Sequence, residues 1–324
     1  MSGMHSIRRA CRLALLLSGA ALAFSIPARL EANEAAALSA AEQCRATCVE
    51  TRFVTVGTVT YAYRSLGEPG GIPLIMLNRF RGTMDEWDPA FVDRLARQRH
   101  VILFDNVGVA RTGGIASPRL AGWADGAAGF IAALGHTTVD IFGFSFGGLV
   151  AQELTLRHPQ LIRRLVIAGS GAGYVDGANL QPRAIEIATK PVNTDEDFLA
   201  LFFRQTPTSQ AAGRAHLARL RERDDAFASI VSADTWKAML SAGSDAGTAE
   251  TSLLTRSGAI RQPTLIANGV EDAMIPTYQS YALAQVMPNA RLSIYPDSGH
   301  AFMFQYPEQF GDEVVRFLTE EAAR

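Results

Sequence analysis

The chain has 324 residues, 48% apolar and 19% charged, with a formal net charge of −2. This composition supports a full hydrophobic core and excludes wholesale disorder. The near-neutral charge leaves no basic excess for nucleic-acid phosphates and no like-charge block for a membrane surface, and the length suits one large α/β domain with an insertion or two small domains.

Arg8, Arg9 and Arg12 precede an apolar run from Leu13 to Phe24, and Ala21-Leu22-Ala23 offers a small-x-small cleavage site. This is the layout of an export signal, and the run is too short for a comfortable membrane span. Residues 1–23 are therefore expected to direct export to the periplasm or beyond, without stable membrane insertion. Residues 24–50 form an Ala- and Glu-rich leader. Cys11 lies in the signal. Cys44 and Cys48 can pair in an oxidising compartment, although a regular helix is a poor frame for such a bridge, and two free thiols are the alternative. No histidine or cysteine cluster nearby suggests a metal.

Two β-rich runs, Phe53 to Val56 and Val59 to Tyr63, flank Gly57 and predict an opening hairpin. Pro73 to Leu77 and Val101 to Phe104 are short apolar runs fit for buried strands, with a helix around Pro89 to Arg97 between them. A helix over Leu120 to Leu134 is closed by Gly135. A strand at Val139 to Phe142, a helix over Leu149 to Leu156 and a strand at Leu165 to Ala168 continue the alternation. Alternation of this kind implies a mostly parallel sheet with helices on both faces. From about Gly171 to Ser257 the rhythm breaks into helical patterns, with candidates at Phe198 to Phe203, His216 to Arg221 and Thr235 to Leu240. It resumes with a strand at Pro263 to Ala267, a helix at Tyr278 to Val286, a strand at Leu292 to Tyr295 and a helix from Pro307 to Glu321. The expected organisation is a core of residues 51–171 and 259–324 interrupted by a helical cap, 172–258.

Gly143-Phe144-Ser145-Phe146-Gly147 is a G-x-S-x-G string directly after a strand and before a helix, the setting of a nucleophile elbow. Bulky residues at 143 and 147 would clash in so sharp a turn, and the helix N-terminus that follows presents free N–H groups to a developing negative charge. A dinucleotide loop would need a glycine where Ser145 stands and a place after the first strand. Of six histidines, His5 lies in the signal, and His100, His136 and His158 read as structural. His216 reads as a solvated face of a cap helix. His300 follows Ser298-Gly299 just past the last strand, where a base for Ser145 belongs. The acid is expected after the preceding strand, at Asp272 of Asn268-Gly-Val-Glu-Asp272, with Glu271 as the alternate and Asp176 a distant third.

These three segments, Gly143 to Gly148, Gly269 to Pro276 and Ser298 to Phe302, together resemble the landmark motifs of the α/β-hydrolase superfamily, in particular its cofactor-free serine esterases and haloperoxidase-like perhydrolases. The resemblance covers roughly residues 50–171 and 259–324. It implies the α/β-hydrolase fold and a catalytic set of Ser145, Asp272 and His300, with no cofactor and no metal. By position, the backbone N–H groups of Phe80 and Phe146 would form the oxyanion hole. The family usually carries His-Gly where this chain has Asn78-Arg79. Arg79 is expected to point outward, the alternative being a guanidinium turned toward an anionic substrate. Phe144, Phe302 and Met303 are candidate pocket residues, and Phe202, Phe203 and Trp236 of the cap either close the pocket or pack the cap. The expected reaction is hydrolysis of a carboxylic ester or lactone whose acyl or alcohol part is apolar. Perhydrolysis, C–C bond hydrolysis with the same triad, and a non-catalytic binding role on the same fold are the alternatives.

Overall fold

The computed structural model describes residues 45–178 and 180–320. The expected export signal and nearly all of the leader lie outside the described residues. Cys48 is disulfide-bonded, so it is not a free thiol.

Eight strands form one sheet in the order β1-β2-β4-β3-β5-β6-β7-β8. β1 (Arg52–Val56) and β2 (Val59–Leu66) make the expected antiparallel hairpin, and β2 pairs antiparallel with β4 (Val101–Phe104). All other pairings are parallel, through β3 (Leu74–Leu77), β5 (Val139–Phe144), β6 (Ile162–Ala168), β7 (Thr264–Gly269) and β8 (Ala290–Tyr295). The central strands are apolar on both faces because helices cover both sides. Their side chains sort by period two. Leu74, Met76, Leu103, Phe142 and Val166 enter one core layer, and Ile75, Leu77, Ile102, Ile141 and Leu165 the other.

The helices begin and end where local chemistry says they should. Asp88 caps α1 (Pro89–Ala96), accepting from the Ala90 N–H, with proline at the first helical position. α2 (Leu120–Ala133) closes at Gly135, whose φ of 79° a side chain would resist. α3 (Phe146–Arg157) follows β5 with no intervening loop except Ser145. Between β6 and β7 lies a helical insertion containing α4 (Pro182–Ala188), α5 (Asp195–Phe202), α6 (Pro207–Leu220) and α7 (Ala233–Ser244). The last three overlap the expected helices but start earlier, at Thr194, Thr206 and Ser232 caps. α4 had no counterpart in the sequence reading. α8 (Thr277–Val286) and α9 (Pro307–Thr319) complete the core.

Candidate active site

Ser145 sits at the turn between β5 and α3 with φ 55° and ψ −119°, a conformation that costs a non-glycine residue free energy and persists only where the surroundings impose it. The surroundings here are specific. The Ser145 N–H donates to the Ala168 carbonyl at 2.9 Å, and its carbonyl accepts from the Ser170 hydroxyl at 2.7 Å and the Gly148 N–H at 2.8 Å. The glycines are obligatory. A Cβ on Gly143 would lie 2.4 Å from the Gly147 carbonyl oxygen, and one on Gly147 would lie 2.1 Å from that of Leu77. The second contact also shows that the N-terminus of α3 abuts the end of β3, the segment that leads through Asn78 and Arg79 to Phe80.

The expected base and acid, His300 and Asp272, come from the neighbouring strand ends. Asp272 follows β7, and its Oδ1 accepts from the backbone N–H groups of Met274 (2.7 Å) and Ile275 (2.8 Å). Its Oδ2 is 2.7 Å from His300 Nδ1. Both residues are buried. Two backbone donors fix one oxygen and the imidazole occupies the other, so the ring is held in one orientation. The loops that carry Asp272 and His300 touch directly. The Glu271 N–H donates to Ser298, and a Cβ on Gly269 would meet the Gly299 carbonyl at 2.2 Å. Glu271 itself turns away to Arg204 (2.6 Å) and is exposed, as is Asp176, so neither alternate acid reaches the histidine.

Ser145 and His300 open into a single cavity of about 400 Å³, a volume ordinary for a small-molecule site. Phe80, Phe198, Leu201, Phe202, Leu217, Leu220, Phe227 and Met274 are among the apolar residues that line it, and Arg79, Thr83, Glu86, Asp195 and Arg221 are among the polar ones. Three of the expected pocket residues are corrections. Phe144 is buried behind the histidine, its ring 5.0 Å from that of His300, and Phe302 and Met303 are wholly buried in the core layer against the sheet. Aromatic residues next to buried strands serve the core first. Among the insertion residues, Phe202 lines the cavity. Phe203 is buried under α6, and Trp236 packs edge-on against Phe80 from behind.

Arg79 is also a correction. It turns inward. Its guanidinium lies 4.9 Å from the Phe202 ring centroid, pairs with Glu86 and donates to the Phe80 carbonyl at 2.8 Å. Glu86 faces the same cavity. Burial raises its carboxyl above the ordinary value, with Arg79 pulling it back. Arg81, at φ 56°, reaches into the insertion and donates to the carbonyls of Ala188, Lys190 and Pro191.

Two buried polar groups near the site escaped the sequence reading. Asn78 bridges from the Trp87 indole N–H (2.7 Å) to the Phe104 carbonyl and Asp105. Asp105 accepts from the Met84 N–H, and burial pushes its carboxyl up to about 7. The second group overturns the reading of His216 as a solvated residue. His216 is fully buried on α6, 4.4 Å from the Phe304 ring, with Nδ1 2.7 Å from Asp88 Oδ2. Arg219, one turn on, donates twice to the same carboxylate. His100 and His158 are structural as expected, bonded to Ser65 and Asp125. Among the described residues no group of three or more His, Cys, Asp or Glu side chains is arranged to hold a metal, and no helix is long and apolar enough to cross a membrane.

The fold has clear relatives. The α/β hydrolase fold family matches residues 72–307. This chain belongs to that family. An α/β-hydrolase fold protein from Chitinophaga pinensis superposes with a TM-score of 0.78 at 35% identity, covering 86% of this chain and all of its own. Among curated relatives, the 2-hydroxymuconate semialdehyde hydrolase of Pseudomonas putida is 32% identical over 62% of this α/β-hydrolase and 69% of its own length. The poly(3-hydroxyalkanoate) depolymerase of Ectopseudomonas oleovorans is 28% identical over 80% and 88%.

Proposed function

We propose that this α/β-hydrolase is a serine hydrolase that cleaves a carboxylic ester or lactone through an acyl-enzyme. The observation that carries the reading is the 2.7 Å bond from His300 Nδ1 to an Asp272 carboxylate already fixed by two backbone donors, in the cavity that holds the elbow serine. With Nδ1–H donating to Asp272, the lone pair of His300 Nε2 is free to take the Ser145 proton as the hydroxyl attacks the carbonyl. Asp272 stabilises the imidazolium that forms. The N–H groups of Phe146, at the first position of α3, and of Phe80 across the turn receive the oxyanion. Each such donor contributes about 3 kcal/mol to lowering the barrier. His300 then returns the proton to the leaving alcohol, and water releases the acid by the same steps in reverse.

The aromatic and aliphatic wall favours an apolar acyl or alcohol part of modest size. The depolymerase relative acts, by its name, on a polyester, which suits this reading. A second reading is hydrolysis of a C–C bond with the same residues; the semialdehyde hydrolase relative acts, by its name, on a substrate that is not an ester. Residues 1–23 support export of the mature enzyme. p-Nitrophenyl esters of two to eight carbons and simple lactones, assayed beside a vinylogous 1,5-diketone, separate the two readings. Turnover of esters, with KM falling as the acyl chain lengthens into the cavity, is the expected result. Cleavage of the diketone without any ester or lactone would give the site to the second reading.

A further inference from the structure

The loop that carries His300 leaves the edge of the sheet. His300 follows β8, the last strand of the sheet, which has a neighbour on one side only. We propose that the turn Phe202–Thr206, which closes α5 and opens α6 in the helical insertion, holds His300 in its working position, with Arg204 as its positioning residue. The inference rests on the reading of His300 as the general base.

Several independent contacts converge on this turn. The Phe202 carbonyl accepts from the Ala301 N–H, the residue after the histidine, at 2.9 Å. The Phe202 ring stands edge-on to the imidazole at 5.1 Å. Gly299, the residue before the histidine, lets the two backbones meet. A Cβ there would lie 3.0 Å from the Phe202 carbonyl oxygen and 3.5 Å from the Arg204 nitrogen. Arg204 then bridges both catalytic loops. Its Nε donates to Glu271, next to Asp272, at 2.6 Å, and its Nη1 to Asp297, three residues before His300, at 3.1 Å. Asp297 has φ 44°, in the left-handed region that aspartate tolerates better than most side chains, and also accepts from the Thr206 hydroxyl at 3.1 Å. One guanidinium thus ties the acid loop, the base loop and the insertion together, in the forked geometry that arginine offers and lysine does not.

A general base misplaced by about 1 Å loses up to roughly a hundredfold in rate. Arg204 and its partners are partly solvated, so the expected loss is smaller. Arg204→Ala is expected to lower kcat for ester hydrolysis by about five- to tenfold and to slow fluorophosphonate labelling of Ser145 by the same factor. KM should stay within about twofold and the melting temperature close to wild type, because the exposed ion pairs contribute little to stability. Arg204→Lys, able to reach one carboxylate at a time, should recover part of the loss. If Arg204→Ala does not fold, Glu271→Gln, which neutralises the exposed carboxylate that Arg204 holds beside Asp272, takes its place with the same sign and a smaller effect. Wild-type kcat and labelling in these variants would overturn the proposal, as would a loss confined to KM or one that tracks the melting temperature with no recovery in Arg204→Lys. A wild-type enzyme that itself neither labels nor turns over would instead overturn the reading of Ser145 and His300 beneath it.

Discussion

Asp272→Asn is expected to lower kcat for ester hydrolysis by about 10⁴-fold with little change in KM or in the fold. The side chain is nearly isosteric, so the cavity and the loop around it stay in place. The Asn oxygen keeps the backbone donors of Met274 and Ile275, now at Asp272 Oδ1. That leaves the amide NH₂ facing His300 Nδ1, where a carboxylate oxygen now accepts at 2.7 Å. Two donors cannot share that contact. The imidazole must accept at Nδ1 and carry its proton on Nε2, the tautomer that cannot take a proton from Ser145. No other carboxylate substitutes, since Glu271 is committed to Arg204 on the exposed side of the loop. Steady-state kinetics of the variant over a range of pH check this. A loss of only a few-fold would remove Asp272 from the orienting role.

The second large effect is on stability. Asp88→Ala is expected to destabilise the fold by about 3–5 kcal/mol. Asp88 is wholly buried and does two things at once. It caps α1 through the Ala90 N–H, and it receives the His216 Nδ1–H and two Arg219 donors from α6 of the insertion. Burial alone would raise its carboxyl, but the hydrogen bonds from His216 and Arg219 outweigh that and hold it below the ordinary carboxylate value. Burial pushes the His216 imidazole down, against the upward pull of Asp88, and its Nε2 has no partner among the described residues. A charged ring would bury a second N–H with nothing to accept it, so the neutral form is the one the fold stabilises. Because the folded pKa of His216 lies below its unfolded value of 6.5, the unfolded chain binds more protons as pH falls past that value. Wild-type stability should therefore decline on acidification from about pH 6.5, and Asp88 adds to the decline with the same sign below about pH 4. Thermal or urea unfolding of wild type and Asp88→Ala between pH 8 and pH 4 checks both statements. An unchanged midpoint for the variant would show that the insertion is anchored elsewhere.

The fold and the residues proposed to react were legible for one physical reason: each left a local mark. Buried parallel strands show as apolar runs, and a strand followed by G-x-S-x-G and a helix describes a turn that few other sequences can make. Asp272 and His300 were singled out because they follow the last two strands in chain order. Nothing comparable marks a contact between distant segments. The Asp88–His216 pair spans 128 positions, and neither residue carries a local sign beyond the Asp-Pro start of α1. Arg79 was misjudged because its direction depends on Glu86 and on Phe202 from the insertion, neither of which the turn sequence reveals. Phe144, Phe302 and Met303 were misassigned because adjacency to a catalytic residue in sequence says little about which face of a strand or helix a ring takes. The cavity wall is built instead largely from the insertion, the segment whose pattern said least.

The central claim is that Ser145 is an activated nucleophile, and intact-mass and peptide analysis after reaction with a fluorophosphonate tests it most directly. One adduct per chain is expected, on the peptide containing Ser145, absent in Ser145→Ala and formed orders of magnitude more slowly in His300→Ala. No adduct on wild type, or an adduct on a different residue that survives Ser145→Ala, would contradict it.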